Sequence, residues 1–109
     1  MPTTAHIRRV DDDHFGAEVL ESELPVVVDF TAAWCGPCRV MDPILAELAA
    51  ERDDVRFVKV DVDQNLATAA RYGVMAMPTF MVFKNGAPAA TLRGSRPKHR
   101  LARDIDAVI

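Results

Sequence analysis

The chain carries two cysteines, Cys35 and Cys38, three positions apart in the run Trp34-Cys35-Gly36-Pro37-Cys38. That number and spacing narrow the chemistry at once. A secreted disulfide scaffold spreads several cysteines along its length. A structural zinc site wants four ligands, and only the distant His6, His14 and His99 are left to complete one, so no metal is expected. Covalent haem attachment needs histidine after the second cysteine, where this chain has Arg39. Reversible thiol–disulfide chemistry remains, beside the plainer possibility of two cysteines that only fill space.

Redox chemistry requires particular elements around the pair. Pro25 opens Val26-Val27-Val28-Asp29-Phe30-Thr31, an apolar β-branched run of the kind found in central strands. Residues 35–51 follow with Val40, Met41, Ile44, Leu45 and Leu48 on a helical face, and Pro43 is expected to kink that helix. The cysteines thus fall where a strand ends and a long helix begins. Backbone N–H groups in a first helical turn lack intrahelical partners and the helix dipole favours negative charge there, so a thiolate at Cys35 is stabilised. Cys38, one turn on, lies roughly 5–6 Å away between Cβ atoms, so the disulfide can form with little backbone motion. Pro37 pre-sets a helical φ and lacks an N–H that would go unpaired.

The rest of the chain alternates in the same way. His6 to Val10 reads as a short strand, and Asp11-Asp12-Asp13 offers N-cap carboxylates to a helix carrying Phe15, Val19 and Leu20. Val55 to Val62 is a second apolar strand, and Asn65 to Tyr72 a short helix ended by Gly73. Thr79 to Lys84 is a third central strand, and Asn85-Gly86 a two-residue hairpin turn into Ala89–Arg93, with Pro88 marking an edge. Ser95 can cap a last helix with Pro97 in its first turn and Leu101, Ile105 and Val108 inward. The expected fold is α/β: one domain over residues 1–109, with a mixed sheet covered by helices on both faces.

Composition agrees with a globular domain. Half of the 109 residues are apolar and 27% charged, which excludes a disordered or collagen-like chain. Thirteen basic against 16 acidic side chains give a net charge of −3, unlike the clustered basic excess of a nucleic-acid binder. No apolar run approaches the length of a membrane span, and the first residues lack the apolar stretch of a signal peptide, so a cytoplasmic location is expected.

Taken together, WCGPC preceded by Val-Asp-Phe, Asp63-Gln64-Asn65, Tyr72-Gly73-Val74, Met77-Pro78-Thr79, Phe83-Lys84-Asn85-Gly86 and Gly94 resemble the thioredoxin family, from about His6 to the last helix. The resemblance implies the thioredoxin fold and a small monomeric protein disulfide reductase. It would hold no bound cofactor and draw electrons from NADPH through a flavoprotein thioredoxin reductase, for use on disulfide-containing client proteins. Cys35 would attack the client and Cys38 resolve the mixed disulfide. Asp29 would be the buried acid that moves the Cys38 proton, although a strand-end carboxyl facing water is the plainer alternative. Lys59, in the neighbouring strand, would partner Asp29 or else face solvent. Pro78 would adopt a cis bond that sets the Met77 backbone beside the disulfide, where a loop proline would do less. Trp34, Ala76, Met77 and Gly94 would form an apolar docking surface, which Met75 could extend. Gly36-Pro37 resembles reductants of this fold more than its isomerases or oxidases, and a purely binding role is the non-enzymatic alternative. Thr31 departs from the family, in which tryptophan is frequent at that position.

Overall fold

The strands pair into one five-stranded mixed sheet of order β1-β3-β2-β4-β5, with the apolar runs of β3, β2 and β4 at its centre. The computed structural model describes residues 7–109, with β1 at Arg8–Arg9, β2 at Val26–Thr31, β3 at Arg56–Asp61, β4 at Thr79–Lys84 and β5 at Ala87–Arg93. β1, β3 and β2 run parallel, β4 pairs antiparallel with β2, and β5 pairs antiparallel with β4. The α-helices among the described residues are α1 (Gly36–Glu51), α2 (Leu66–Arg71) and α3 (Lys98–Asp106).

Alternation along the strands divides the core into two layers. Val26, Val28 and Phe30 of β2 point to one face with Val58, Val60, Met81 and Phe83, and are covered by Phe15, Val19 and Ala69. Val27 points to the other with Phe57, Phe80 and Val82, beneath Met41, Leu45 and Leu48 of α1 and Leu101 and Ile105 of α3. Arg52, at the C-terminus of α1, ties α3 down through Asp106 at 2.7 Å. The interstrand turn is as the sequence indicates: Asn85 and Gly86 both have positive φ (55° and 79°), the twist that suits a two-residue hairpin. Pro88 lies on the edge strand, opposite Phe83 at a register shift. Gly73, with φ of 66°, closes α2.

Several local expectations are corrected. The first strand is two residues long, and His6 lies outside the described residues. The segment after Asp11-Asp12-Asp13 is a π-helical turn, Gly16–Leu20, with no side-chain cap. Asp11 instead accepts from the backbone N–H of His14, and Asp12 reaches across to α2, accepting from the backbone N–H of Thr68 at 2.9 Å and its hydroxyl at 2.6 Å. Ser95 does not cap α3, whose N-cap is Pro97 with no side-chain bond. Val40 is exposed, because the inward stripe of α1 runs through Met41, Leu45 and Leu48. Pro43 lies inside α1, where the sequence places it.

Candidate active site

β2 ends at Thr31, and a short turn closed by the Cys35 N–H on the Ala32 carbonyl (3.1 Å) delivers Cys35 to the start of α1. Cys35 is the helix N-cap in extended conformation, with Gly36 and Pro37 in the first turn. Its Sγ accepts a hydrogen bond from the backbone N–H of Cys38 at 3.2 Å. A sulfur thus takes the place that a serine or aspartate oxygen usually fills at an N-cap, and negative charge on it is stabilised by a free helix N–H. The pair forms a disulfide with Cα atoms 5.3 Å apart, within the ordinary range for such bonds. Both cysteines are nearly enclosed in this state, at 3% and 2% exposure, so burial does not tell them apart. A Cβ added to Gly36 would meet nothing within 4 Å, so the space beside the disulfide is open.

Around this helix start the polypeptide is pinned at several points. Trp34 is 66% exposed, and its indole N–H donates to Asp63 Oδ2 at 2.8 Å. Arg39 donates to the Ala33 carbonyl at 2.8 Å. The Met77–Pro78 bond is cis, and Met77 packs, half-buried, on the core cluster that contains both cysteines. Gly94, at φ 88°, donates its N–H to the Pro78 carbonyl (2.9 Å), and the Thr79 hydroxyl donates to the Ala76 carbonyl (2.7 Å). Ala76 and Met75 are exposed. The segments bearing Met77 and Gly94 are thus joined at Pro78.

Behind α1, Asp29 is 2% exposed in the middle of β2, and neither carboxyl oxygen has a hydrogen-bond partner among the described residues. Loss of hydration penalises its charged form and pushes its pKa up to about 7, against a smaller downward pull from Lys59. The register places Lys59 directly opposite Asp29 on β3. Its ammonium nevertheless goes elsewhere, donating to Asp42 Oδ1 of α1 at 2.9 Å, so the direct Asp29–Lys59 pair is not formed. A cleft of about 360 Å³ adjoins the group, lined by Thr31, Cys38, Asp42 and Lys59 among others. Its volume holds several waters at about 30 Å³ each.

Comparison with known proteins identifies the chain. The thioredoxin family model matches residues 6–107. Thioredoxin of Streptomyces clavuligerus is 47% identical over 97 residues, spanning 89% of this chain and 91% of the relative. Thioredoxin 1 of Synechococcus elongatus is 47% identical over 98 residues, spanning 89% and 92%, and the chloroplastic M-type thioredoxin of Chlamydomonas reinhardtii is 43% identical over 98, spanning 89% and 70%. The chain belongs to the thioredoxin family.

A thioredoxin performs thiol–disulfide exchange through a cysteine pair at disulfide distance, and Cys35 and Cys38 are that pair here. Sequence reasoning missed two features close to this pair. Asp42 is one: its proximity to Lys59 depends on how α1 lies over β3, which no local pattern encodes. The cleft is the other. Thr31 lines it together with Cys38, Asp42 and Lys59.

Proposed function

We propose that the protein is a monomeric, single-domain cytoplasmic reductase of protein disulfides, in which Cys35 is the nucleophile and Cys38 the resolving thiol. The observation that carries this assignment is the Cys38 N–H directed at Cys35 Sγ (3.2 Å), which favours the thiolate at that sulfur and not at the other. In the reduced protein the Cys35 thiolate attacks one sulfur of a client disulfide. A Cys35–client bond forms, the client's own S–S bond breaks, and the second client sulfur departs as a thiol after taking a proton. Cys38 then gives its proton to Asp29, and its thiolate attacks Cys35 Sγ. The intramolecular disulfide forms, the mixed disulfide breaks, the expelled client sulfur takes a proton from water, and the client leaves with both thiols reduced while the protein is oxidised by two electrons.

Asp29 suits the proton-accepting role because its burial makes it basic near neutral pH. Lys59 acts electrostatically on Asp29 across the strand pair. Pro78 and the Met77 backbone offer an extended segment for pairing with client chain, flanked by Trp34, Ala76 and Gly94 as the docking surface. Re-reduction falls to a flavoprotein thioredoxin reductase using NADPH, with no cofactor held by this chain. Catalytic amounts should speed insulin reduction by dithiothreitol several-fold, followed as turbidity of the released chains. A rate equal to dithiothreitol alone would overturn the assignment.

A further inference from the structure

Lys59 and Asp29 are strand neighbours, yet the ammonium is bonded to Asp42 on the helix above. Asp42 follows Cys38 by four residues, so the two lie on the same side of α1 and both line the cleft. Lys59 is mostly enclosed, at 18% exposure of its side chain, and Asp42 is the wetter partner at 43%. The buried Asp29 carboxyl is left with no hydrogen-bond partner among the described residues. On its other flank, β4 presents Phe80, which carries no charge. The charges that act on Asp29 are therefore Lys59 from β3 and Asp42 from α1.

We propose that Asp42 is a positioning residue for the resolving step: it anchors the Lys59 ammonium toward the cleft and so leaves Asp29 without a direct cationic partner. The inference rests on the proposed role of Asp29 as acceptor of the Cys38 proton. A lysine bonded directly to Asp29 would hold the carboxylate as an anion over the whole neutral range and weaken it as a base. With Lys59 drawn to Asp42, that competition is removed, and Asp42 adds a like charge of its own that disfavours ionisation. Two effects of one side chain thus act in the same direction, the first through Lys59 and the second through space.

The test follows the Asp29 carboxyl directly, by NMR of carbon-13-labelled aspartate in the oxidised protein, and in parallel the pH profile of client release. In Asp42→Ala the ammonium is free to turn to Asp29, and the midpoint of the Asp29 titration should fall by about one pH unit, the low end for a cation arriving within 4–6 Å. The inflection in the release rate should move down with it. In a Lys59→Met background the same Asp42→Ala change should produce less than half that displacement, because no ammonium remains to move. An unchanged or raised midpoint in Asp42→Ala overturns the proposal, and so does an equal displacement with and without Lys59. Asp29→Asn separates the two levels of the argument. If that variant releases client at the wild-type rate, the proton-acceptor reading is wrong, whereas the carboxyl titration still decides whether Asp42 governs Lys59. Asp42 is part-exposed on a helix where alanine is a strong helix former, so the variant is expected to fold.

Discussion

Replacing Asp29 by asparagine should change how the protein's stability depends on pH, and the structure gives the size. Asp29 is 2% exposed, and its pKa stands at about 7 against an ordinary 3.8. Below about pH 4 the carboxyl is protonated in folded and unfolded chains alike and contributes no pH dependence. Between there and pH 7 the unfolded chain releases the proton while the folded one keeps it. Stability therefore falls with rising pH, by up to about 1.4 kcal/mol for each pH unit. Above 7 both states are ionised and the loss is complete, at about 4 kcal/mol for the full displacement. Water entering by the cleft relaxes part of this, so ~2–4 kcal/mol is the expected span. The substituted asparagine has no proton to lose. Its buried amide adds an offset that is the same at every pH, so the slope is the quantity to compare. Urea denaturation of both oxidised proteins at pH 4, 6 and 8 should show the variant gaining on the wild type by that span, and most steeply between pH 4 and 7. Parallel curves would mean that the Asp29 carboxyl is not held neutral by burial, and the reasoning about it would fail.

Other outcomes follow from the same geometry. In the reduced protein at neutral pH, iodoacetamide should label Cys35 before Cys38, as read by peptide mapping, because only the Cys35 sulfur receives the Cys38 N–H. Asp29→Asn should slow release of the mixed disulfide by about 10²-fold, the low end for general-base assistance, and leave its formation nearly intact in rapid-mixing experiments. Asp12→Ala should lower the urea denaturation midpoint, since Asp12 supplies the cap that α2 lacks from its own N-cap residue.

Strands β2 and β4 were legible to the residue because their limits are chemical: proline before Val26, and Asn-Gly after Lys84. The α1 start at the cysteines was equally plain, since the apolar strand ends before them and Pro37 pre-sets a first helical turn. What the sequence hid depends on distance along the chain. Asp12 was readable as a cap but not as the cap of a helix more than 50 residues on. Lys59 was readable as a possible neighbour of Asp29, and the two do lie side by side on β2 and β3, yet its ammonium follows Asp42, which the packing of α1 brings close. Val40 shows the limit of periodicity. It sits next to the buried stripe by spacing, and only the direction of the helix over the sheet turns it outward. The oxidised cysteines are similarly enclosed, so their division of labour is read from the hydrogen bond to Cys35 and not from exposure.

The assignment of Cys35 as the attacking thiol is tested most directly by stopping the reaction halfway. Reduced Cys38→Ser, mixed with an insulin or peptide disulfide, has no resolving thiol and should accumulate a covalent adduct. Intact-mass measurement should show the protein joined to one substrate chain, and peptide mapping should place the bond on Cys35. Reduced Cys35→Ser, treated identically, should remain unmodified over the same interval. An adduct that forms as fast on Cys38 in Cys35→Ser, or no adduct on Cys35 in Cys38→Ser, would contradict the account.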